Sequence, residues 1–382
     1  MSDASVPPPL SDVQVLDLST VLAGPNCARY LADFGADVIK VERPDGDSLR
    51  NMAWRDPRDD VGLWWKLVNR NKRFIALDLK ADADRELFLR LVGDADVVVE
   101  NTRPGTMDRL GLGAEVLFER RPQLVITRIT GFGQDGPYAQ RPGFATIAEA
   151  MSGFAALNGD PDGAPLLPPI ALTDETTGLA AAFATMVALH AARSTGVGQE
   201  VDANLLDTMF HLMGPLASLF ALTGEQQPRL GAGLPYTVPR GTYRCADGTW
   251  VAVSTSSDTV AARVLELLGV GDDDRFATFA GRAEHRDELE AAMAAWCSQR
   301  TRAEVIAEFE AAEAAIGPVM DMADIAADPH YAHRGTVVTV PDSHDGTPMQ
   351  GLIARLSATP GVIRHAGGDL DADGDQIRSS GW

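Results

Sequence analysis

One carboxylate of the chain stands in a position that suits a covalent nucleophile. Asp174 follows an apolar segment and leads into an alanine-rich stretch, residues 177–195, whose spacing predicts a long helix. The amino terminus of a helix favours an ionised carboxylate, and small residues just beyond it, such as Gly178, leave room for a bulky ligand. Aspartate is also a favoured N-cap, so the position alone is at least as typical of an ordinary helix start.

A second group of residues has the charge to bind an anion. All four lysines of the chain lie between residues 40 and 80, where six arginines accompany them. The chain as a whole has a net charge of -21, so this concentration of cations is local. It suits a small anionic ligand, whereas the overall charge argues against a nucleic acid partner. Solvated surface charges are the alternative explanation of the cluster.

Composition limits the class of protein. The 382 residues suffice for two domains, and 45% hydrophobic with 23% charged residues is typical of globular proteins. No apolar run approaches the ~20 residues that span a bilayer, and the start lacks the basic and apolar parts of a signal peptide. We therefore expect a cytoplasmic protein with no membrane partner. The three cysteines lie far apart, and no Cys/His spacing predicts a metal site.

Strand-like and helix-like segments alternate over roughly the first 130 residues, which predicts a doubly wound α/β domain with a parallel sheet. The predicted strands are residues 13–19, 36–43, 74–80, 95–100 and 124–130. The predicted helices are residues 24–35, 82–93, 177–195 and 204–222. A stretch rich in Gly, Pro and Gln follows, and it predicts a domain boundary near residue 223.

Two short motifs match ligand-binding loops without the context that those loops need. Residues 131–136 have the GxGxxG spacing of a dinucleotide-binding fingerprint, but Pro137 follows at once where a helix should begin. Residues 369–374 copy the start of a calcium-binding loop whose closing glutamate is replaced by Ser380. We expect neither a nicotinamide cofactor nor a bound metal.

Longer blocks along almost the whole chain resemble the class III CoA-transferases of the CaiB/BaiF type. In the order of that family the chain carries VLDLSTVLAGPNCARYLADFGADVIKVERPDGD, NRNKRFIALDLK, VVVENTRPGTMDRLGLG, ITGFGQDGPYAQRPG, ALTDETTGLAAAFATMVALHAA and GVGQEVDANLLD. Later blocks are TYRCADGTWVAV, DPHYAHRG and ARLSATPG. By these blocks the chain is identified as a member of the family.

The resemblance implies an α/β fold with two domains. A Rossmann-like large domain would be formed by residues 1–222 and 335–382, and a small α+β domain with its linkers, residues 223–334, would be inserted between these parts. The resemblance also implies a homodimer whose two subunits interlock.

The resemblance further implies covalent chemistry at Asp174, which occupies the place of the catalytic aspartate. Its carboxylate would attack an acyl-CoA thioester, giving an aspartyl anhydride and then an aspartyl-CoA thioester, from which an acceptor acid takes the CoA. The partners are therefore an acyl-CoA donor and a carboxylic-acid acceptor. CoA is a substrate in this scheme, and no cofactor is bound permanently.

The family's CoA-contact motifs select a set of binding residues when they are matched position by position. They are Arg43, Leu77, Asp78, Leu79, Lys80, Asn101, Arg103 and Arg109, with Lys72 and Arg73 as neighbours. Arginine and lysine at these places would gather the positive charge that the phosphates of CoA require.

Departures from the family leave alternatives open. Leu22 and the pair Phe144-Ala145 replace polar residues of formyl-CoA transferase, which argues against formyl or oxalyl substrates. The apolar stretch 144–154 favours a medium or branched acyl chain. The main alternative is an α-methylacyl-CoA racemase, although Phe144 stands where that branch has its histidine. A CoA-binding protein without catalytic activity is a further alternative.

Overall fold

The computed structural model describes residues 6–382, and contacts between Cα atoms group them into two units. Unit 1 contains the described residues up to Gly153, together with Pro168–Gly214 and Pro329–Trp382. Unit 2 contains Phe154–Leu167 and Pro215–Asp328. The boundaries that the sequence suggests, near residues 223 and 335, fall a few residues later in the chain.

Six parallel strands form one sheet in unit 1. They are β1 (Gln14–Asp17), β2 (Asp37–Glu42), β3 (Lys72–Ala76), β4 (Val97–Glu100), β5 (Val125–Thr130) and β6 (Gln199–Asn204). Across the sheet they follow the order β3-β2-β1-β4-β5-β6, which is the strand order of Rossmann folds. The predicted α/β fold with a parallel sheet is confirmed, and the polar strand β6 is an addition that the apolar pattern did not predict.

Seventeen α-helices accompany the strands within residues 6–382. In chain order they are α1 (Ala23–Asp33), α2 (Leu63–Val68), α3 (Asp82–Asp94), α4 (Thr106–Arg109), α5 (Ala114–Arg120), α6 (Ala145–Met151), α7 (Phe154–Leu157), α8 (Leu172–Thr195), α9 (Leu205–His211), α10 (Leu216–Thr223), α11 (Asp258–Leu267), α12 (Phe279–Glu284), α13 (Arg286–Ser298), α14 (Arg302–Ala311), α15 (Met322–Ala327), α16 (Pro329–Arg334) and α17 (Gly374–Ser380). Helices α7 and α10 to α15 belong to unit 2, and the others belong to unit 1.

The central strands are continuous apolar runs because both faces of the sheet are covered. Successive side chains of a strand point to opposite faces, and β4 shows this directly. Val97 and Val99 belong to the same apolar core as Ala181 of α8. Val98 belongs to a second core, which contains Phe88 of α3. The sheet is therefore fixed from both sides and offers its carboxyl-terminal edge for a site.

Helix α8 begins earlier than the sequence predicts. It starts at Leu172 instead of residue 177, so Asp174 lies inside its first turn. The N-cap position is occupied by Ala171, which makes no side-chain capping bond. The interpretation of Asp174 as an N-cap is therefore wrong, and its carboxylate is not needed to start the helix.

The predicted helix 204–222 is divided into α9 and α10. Pro215 precedes α10 and has no backbone N–H to continue a helix from the preceding turn. In the described part of the chain no single helix has both the length and the apolar character of a membrane span. Only the bent pair α9 and α10, taken together, meets those criteria of length and composition.

Unit 2 contains a small antiparallel sheet with helices. Its strands are β7 (Arg240–Arg244), β8 (Trp250–Ser254) and β9 (Ile316–Pro318), in the order β7-β8-β9. Strands β7 and β8 form an antiparallel hairpin, with Gly248 at a φ of +82° in the turn between them. Side chains of α13 and α14, including Met293 and Phe309, form the core beneath this sheet.

The last part of the chain belongs to unit 1. It forms the hairpin of β10 (Val337–Val340) and β11 (Thr347–Gln350). In the loop that copies a calcium-binding sequence, the carboxylates of Asp371 and Asp373 accept hydrogen bonds of 2.8 Å from the backbone N–H groups of Ala76 and Phe74. These acids thus cap the edge strand β3. Among residues 6–382 no cluster of three or more His, Cys, Asp or Glu side chains could hold a metal.

Candidate active site

Asp174 has an unusual environment for a carboxylate in the first turn of a helix. Its side chain is half-buried, and no hydrogen bond or ion pair reaches it from the described residues. Burial, together with the nearby carboxylates of Glu149 and Glu175, raises the pKa of Asp174 to about 6. A carboxylate without a charged or hydrogen-bonding partner is more basic than an ordinary aspartate, which favours nucleophilic attack.

Helices α6, α8 and α9 meet beside this carboxylate. Glu149 of α6 is buried, and its Oε1 accepts a hydrogen bond of 2.9 Å from the Oγ1 of Thr173, the residue before Asp174. The same hydroxyl lies 3.4 Å from the Sδ of Met209 in α9. These contacts fix the first turn of α8 and keep a second carboxylate close to Asp174.

Helix α1 approaches the same turn of α8 from another side. Gly178 lies one turn after Asp174, and a Cβ at this position would be 2.9 Å from the carbonyl oxygen of Ala23. Only glycine permits that approach of the two backbones. The Nδ2 of Asn26 in α1 also donates a hydrogen bond of 2.7 Å to the Oε2 of Glu175. The orientation of Asp174 is therefore set by backbone packing and by its neighbour in the sequence.

A cavity of about 460 Å³ opens where β1, β2 and β3 end. The carboxyl ends of parallel strands are the usual ligand-binding edge of such sheets, and this volume is typical of small-molecule sites. Its lining residues are Leu18, Ser19, Thr20, Lys40, Val41, Glu42, Arg43, Pro44, Asp45, Gly46, Asp47, Leu77, Asp78, Leu79, Lys80, Thr102, Thr106, Met107 and Leu110.

Five of the ten CoA contacts that the sequence predicts line this cavity. Arg43 and the whole segment Leu77–Lys80 line it. The Arg43 side chain is 68% exposed and lies 3.4 Å from Asp45, so its guanidinium is largely available to a ligand. Arg109 donates a hydrogen bond of 2.8 Å to the hydroxyl of Thr106, another lining residue. Arg109 is thus adjacent to the cavity.

Asn101 and Arg103 line a second, smaller cavity of about 170 Å³. Thr102 contributes to both cavities, so the two lie on either side of this residue. The side chain of Asn101 accepts a hydrogen bond of 2.8 Å from the backbone N–H of Thr20 and donates one of 2.7 Å to its carbonyl oxygen. Asn101 therefore ties the loop after β4 to the loop after β1.

Lys72 is a buried side chain and not a surface cation. Its Nζ donates hydrogen bonds of 2.8 Å to Asp17, 2.8 Å to the carbonyl oxygen of Pro25 and 2.9 Å to Asn69. Burial lowers the pKa of Lys72 to about 8. Neither cavity includes Lys72 in its lining. Because Lys72 is charged and belongs to a basic cluster, the sequence suggested an exposed side chain. In the structure its ammonium group is buried and hydrogen-bonded to acceptors inside the protein.

Arg73 lies at the opposite edge of the sheet from the cavities. It stands at the amino end of β3 and donates a hydrogen bond of 3.1 Å to Asp37, at the amino end of β2. The large cavity opens at the carboxyl ends of the same strands. The contact set suggested by the sequence is therefore divided, with Arg73 remote from the cavity that holds Arg43.

Two residues of this region were not selected from the sequence. Lys40 lines the large cavity, is buried, and donates a hydrogen bond to the carbonyl oxygen of Ser19. Its Nζ also lies 3.6 Å from Asp47. Its membership of the basic cluster was the one signal available. Glu149 gave no spacing signal, because a single acid in an apolar stretch resembles a solvated helix position.

The family described as CoA-transferase family III matches residues 10–373 of the chain. The chain belongs to this family. Because its matched relatives are themselves CoA-transferases, the protein is an enzyme, and an acyl-CoA and an acid are the substrates that its class uses.

Two relatives and one solved structure show how close this CoA-transferase is to known members. It is 38% identical to succinyl-CoA–D-citramalate CoA-transferase of Chloroflexus aurantiacus, over 99% of this chain and 95% of that protein. It is 35% identical to succinate–glutarate CoA-transferase of Agrobacterium fabrum, over 94% and 91%. A CAIB/BAIF family protein from Brucella suis superposes with a TM-score of 0.86 at 33% identity, over 98% of this chain and 99% of that one.

Proposed function

We propose that this CoA-transferase moves CoA between carboxylic acids through covalent intermediates on Asp174. The observation that carries the proposal is the half-buried carboxylate of Asp174, unpaired and with a raised pKa, in the first turn of α8. A structural carboxylate would be expected to accept hydrogen bonds or face a cation. The same environment increases the basicity that a nucleophile needs.

The proposed reaction consists of four displacements. The Asp174 carboxylate attacks the thioester carbonyl carbon, and the C–S bond breaks. CoA thiolate departs, and a mixed anhydride of Asp174 and the donor acid is formed. The thiolate then attacks the aspartyl carbonyl, which releases the donor acid and forms an aspartyl-CoA thioester. An acceptor carboxylate attacks that thioester and forms a new anhydride with free thiolate. Attack of this thiolate on the acceptor's acyl carbon gives the product thioester and restores Asp174.

The large cavity is the proposed site for the nucleotide part of CoA. Arg43 and Lys80 are cations at its wall, and an acidic chain needs such local charge to bind phosphates. Asn101, Arg103 and Arg109 complete the proposed contacts around the two cavities. We omit Lys72 and Arg73 from this set, because the first is fully buried with internal partners and the second lies at the far edge of the sheet.

We propose dicarboxylic acids of four or five carbon atoms as the substrate class. The names of both relatives combine succinate or succinyl-CoA with a second dicarboxylic acid, citramalate or glutarate. A CoA donor and an acceptor of similar size would occupy the same space beside Asp174 in turn. This proposal replaces the expectation of a medium or branched acyl chain, which rested only on the apolar stretch 144–154.

A racemase is the second candidate, and Phe144 argues against it. That chemistry needs two acid/base groups on opposite sides of the α-carbon, and Phe144 stands where the racemase branch has its histidine. Phe144 is the residue before α6, and 68% of its surface is exposed. A CoA-binding protein without activity is the third candidate, and it would leave Asp174 unmodified by any thioester.

The interlocked homodimer, the inserted small domain and the cytoplasmic location remain part of the proposal. An apolar stripe on α8 supports the dimer. Leu179, Phe183 and Val187 follow one another at intervals of four residues, and all three are exposed in the single chain. Exposed apolar patches of this kind mark protein interfaces, and a second copy of the chain is the proposed partner.

Mass spectrometry with a panel of thioesters tests the proposed function. The protein is mixed with succinyl-CoA, glutaryl-CoA and a branched acyl-CoA, treated with hydroxylamine, and digested, with Asp174→Ala as the control. A CoA adduct or hydroxamate on Asp174, absent from the alanine variant, is the expected result. Exchange of the α-proton into deuterated water without any adduct would instead establish the racemase. The absence of both signals would support the inactive CoA-binding protein.

A further inference from the structure

Residues 19–25, named here the bridging loop, connect β1 with the first turn of α1 and touch both parts of the candidate site. Ser19 and Thr20 line the large cavity. Near the other end of the loop, the carbonyl oxygen of Ala23 is the atom closest to the missing side chain of Gly178. Because residues four apart share a helix face, this contact lies on the face of α8 that carries Asp174.

Two buried ammonium groups hold the bridging loop by its backbone. The Nζ of Lys40 donates to the carbonyl oxygen of Ser19, at the start of the loop. The Nζ of Lys72 donates to the carbonyl oxygen of Pro25, at its end, at 2.8 Å. The two lysine side chains are only 1% and 0% exposed. The loop is thus fixed at both ends by donors that are almost completely buried.

Two buried carboxylates compensate the charge of the lysines, since Asp47 lies 3.6 Å from the Nζ of Lys40 and Asp17 lies beside both lysines. The Oδ2 of Asp17 lies 2.8 Å from the Nζ of Lys72 and 3.7 Å from that of Lys40. Although burial acts to raise it, the two ammonium groups together lower the pKa of Asp17. Asn69 accepts a further hydrogen bond of 2.9 Å from Lys72. Buried charges persist only when they are paired and hydrogen-bonded, so this network has a defined geometry.

The conformation of the bridging loop explains why it needs such support. Val21 has a φ of +66°, a left-handed conformation that is strained for a β-branched residue. At Gly24 a Cβ would lie 2.2 Å from the Cβ of Ser19, so the loop also folds tightly back on itself. Strained segments persist where the surrounding structure fixes them. Here the hydrogen bonds from the two lysines fix the loop.

We propose that Lys40 and Lys72 are positioning residues, which fix the bridging loop and thereby the distance between the CoA cavity and Asp174, and that neither ammonium group contacts a phosphate of CoA. The inference deepens the proposed function and rests on it for the role of Asp174. It assigns to two members of the basic cluster a task different from anion binding. Arg43 and Lys80 keep the phosphate-binding role.

Hydrogen–deuterium exchange and a truncated donor test this proposal together. Lys72→Met removes one ammonium group, and Asn69→Ala weakens the same network while leaving both lysines in place. Arg43→Ala is the matched control for a cation that contacts phosphate. Exchange over residues 19–25 is measured without substrate, and acylation of Asp174 is measured with succinyl-CoA and with succinyl-pantetheine, which lacks every phosphate.

The expected result is that Lys72→Met speeds exchange over the bridging loop about 10-fold or more. It slows acylation by about 10- to 100-fold with both thioesters, since small misplacements of reacting groups have effects of this size. Arg43→Ala slows only the reaction with succinyl-CoA. Asn69→Ala should change exchange and acylation in the same direction as Lys72→Met, but by less. If Lys72→Met does not fold, both measurements are made on Asn69→Ala.

Unchanged exchange over residues 19–25 would overturn the proposal. So would a defect of Lys72→Met that appears with succinyl-CoA and disappears with succinyl-pantetheine, because that pattern identifies a phosphate contact. Failure of the wild-type protein to become acylated by either thioester would count against the proposed function with this donor. The exchange measurement would still decide whether the lysines fix the loop.

Discussion

The buried carboxylate of Glu149 accepts a hydrogen bond of 2.9 Å from the hydroxyl of Thr173, the residue that immediately precedes Asp174. The contact holds a second negative charge next to the proposed nucleophile, and this charge contributes, after burial, to the raised pKa of Asp174 of about 6. Asp174 therefore changes its charge within the pH range of ordinary assays, which makes its environment directly measurable.

Acylation of Asp174 is expected to rise with pH, with a midpoint near pH 6, because only the ionised carboxylate attacks a thioester. Glu149→Gln removes a charge but keeps an acceptor for Thr173, so its midpoint should move to lower pH. Single-turnover acylation by succinyl-CoA between pH 4.5 and pH 8 gives both midpoints. Glu86→Gln, at an exposed ion pair of α3, is the control. Identical midpoints for wild type and Glu149→Gln would refute this account of the environment.

Asp174→Asn is expected to abolish acylation and to stabilise the fold. The pKa of Asp174 in the folded protein, about 6, lies above the ordinary value of 3.8. The folded state therefore binds a proton at Asp174 more tightly than the unfolded state does. The stabilisation from this proton is fully present below about pH 4 and is lost as the pH rises through 6. The neutral amide of the variant avoids that loss. The variant should therefore be more stable than the wild type by on the order of 1–3 kcal/mol at pH 7 and by little at pH 4.

Urea unfolding of wild type and Asp174→Asn at the two pH values measures this difference in the free energy of unfolding. The exposed Asp135→Asn serves as the control for removal of a negative charge from this acidic chain. A constant difference between pH 4 and pH 7 would show that the pKa of Asp174 is not raised by folding.

Arg43→Ala and Lys80→Ala are each expected to raise the KM for an acyl-CoA by about 10-fold or more, with a small effect on kcat. Charge-assisted hydrogen bonds to phosphate contribute about 1.5–3 kcal/mol, and the loss falls on binding. Steady-state kinetics at low and high salt measure the effect. Arg90→Ala, on α3 and outside the lining of either cavity, should leave KM unchanged. Unaltered KM values in both cavity variants would show that the nucleotide part of CoA binds outside this cavity.

Gly178→Ala is expected to lower activity and to reduce stability by about 1–3 kcal/mol. The new Cβ would lie 2.9 Å from the carbonyl oxygen of Ala23, so α1 and α8 must separate or shift. Gly93→Ala in α3 is the matched control, since its Cβ would meet no atom within 4 Å and alanine favours a helix by about 1 kcal/mol. Thermal unfolding and acylation rates compare the two. Equal behaviour would mean that α8 tolerates displacement from α1.

Phe183→Glu is expected to weaken the proposed homodimer. Phe183 is 71% exposed in the single chain, in the middle of the apolar stripe of α8, and a buried unpaired charge at an interface is strongly unfavourable. Light scattering after size exclusion over a range of concentrations measures the mass. The exposed Arg90→Glu is the control. A wild-type protein that is monomeric at all concentrations would remove the dimer from the proposal.

Apolar patterning was sufficient to predict five of the six strands of the sheet. The five strands that were predicted are short runs such as Val97–Glu100, all of whose residues are buried, and alternation with helical segments determined that they are parallel. The resemblance to the family then placed Arg43 and Leu77–Lys80 together, and both line the same cavity. These features depend on local pattern or on motifs, which one sequence contains.

Long-range electrostatic contacts account for what the sequence did not reveal. Lys72 is buried because Asp17, 55 positions earlier in the chain, lies beside it in the fold. Glu149 lies close to Asp174 because it accepts a hydrogen bond from Thr173, which comes 24 positions later in the chain. The start of α8 was misplaced for a local reason, since Ala171 at the N-cap offers no capping side chain to mark it. Neither periodicity nor composition encodes such partners.

The capping of β3 by Asp371 and Asp373 affects how the protein is made. The amide of Phe74 receives its acceptor from Asp373, 299 positions later, and that of Ala76 from Asp371, 295 positions later. At a ribosomal rate of roughly 5–20 residues per second, the strand waits about 15–60 seconds for these carboxylates. Throughout that interval the outer edge of β3 lacks these two acceptors, and an unpaired strand edge of this kind can pair with another extended chain.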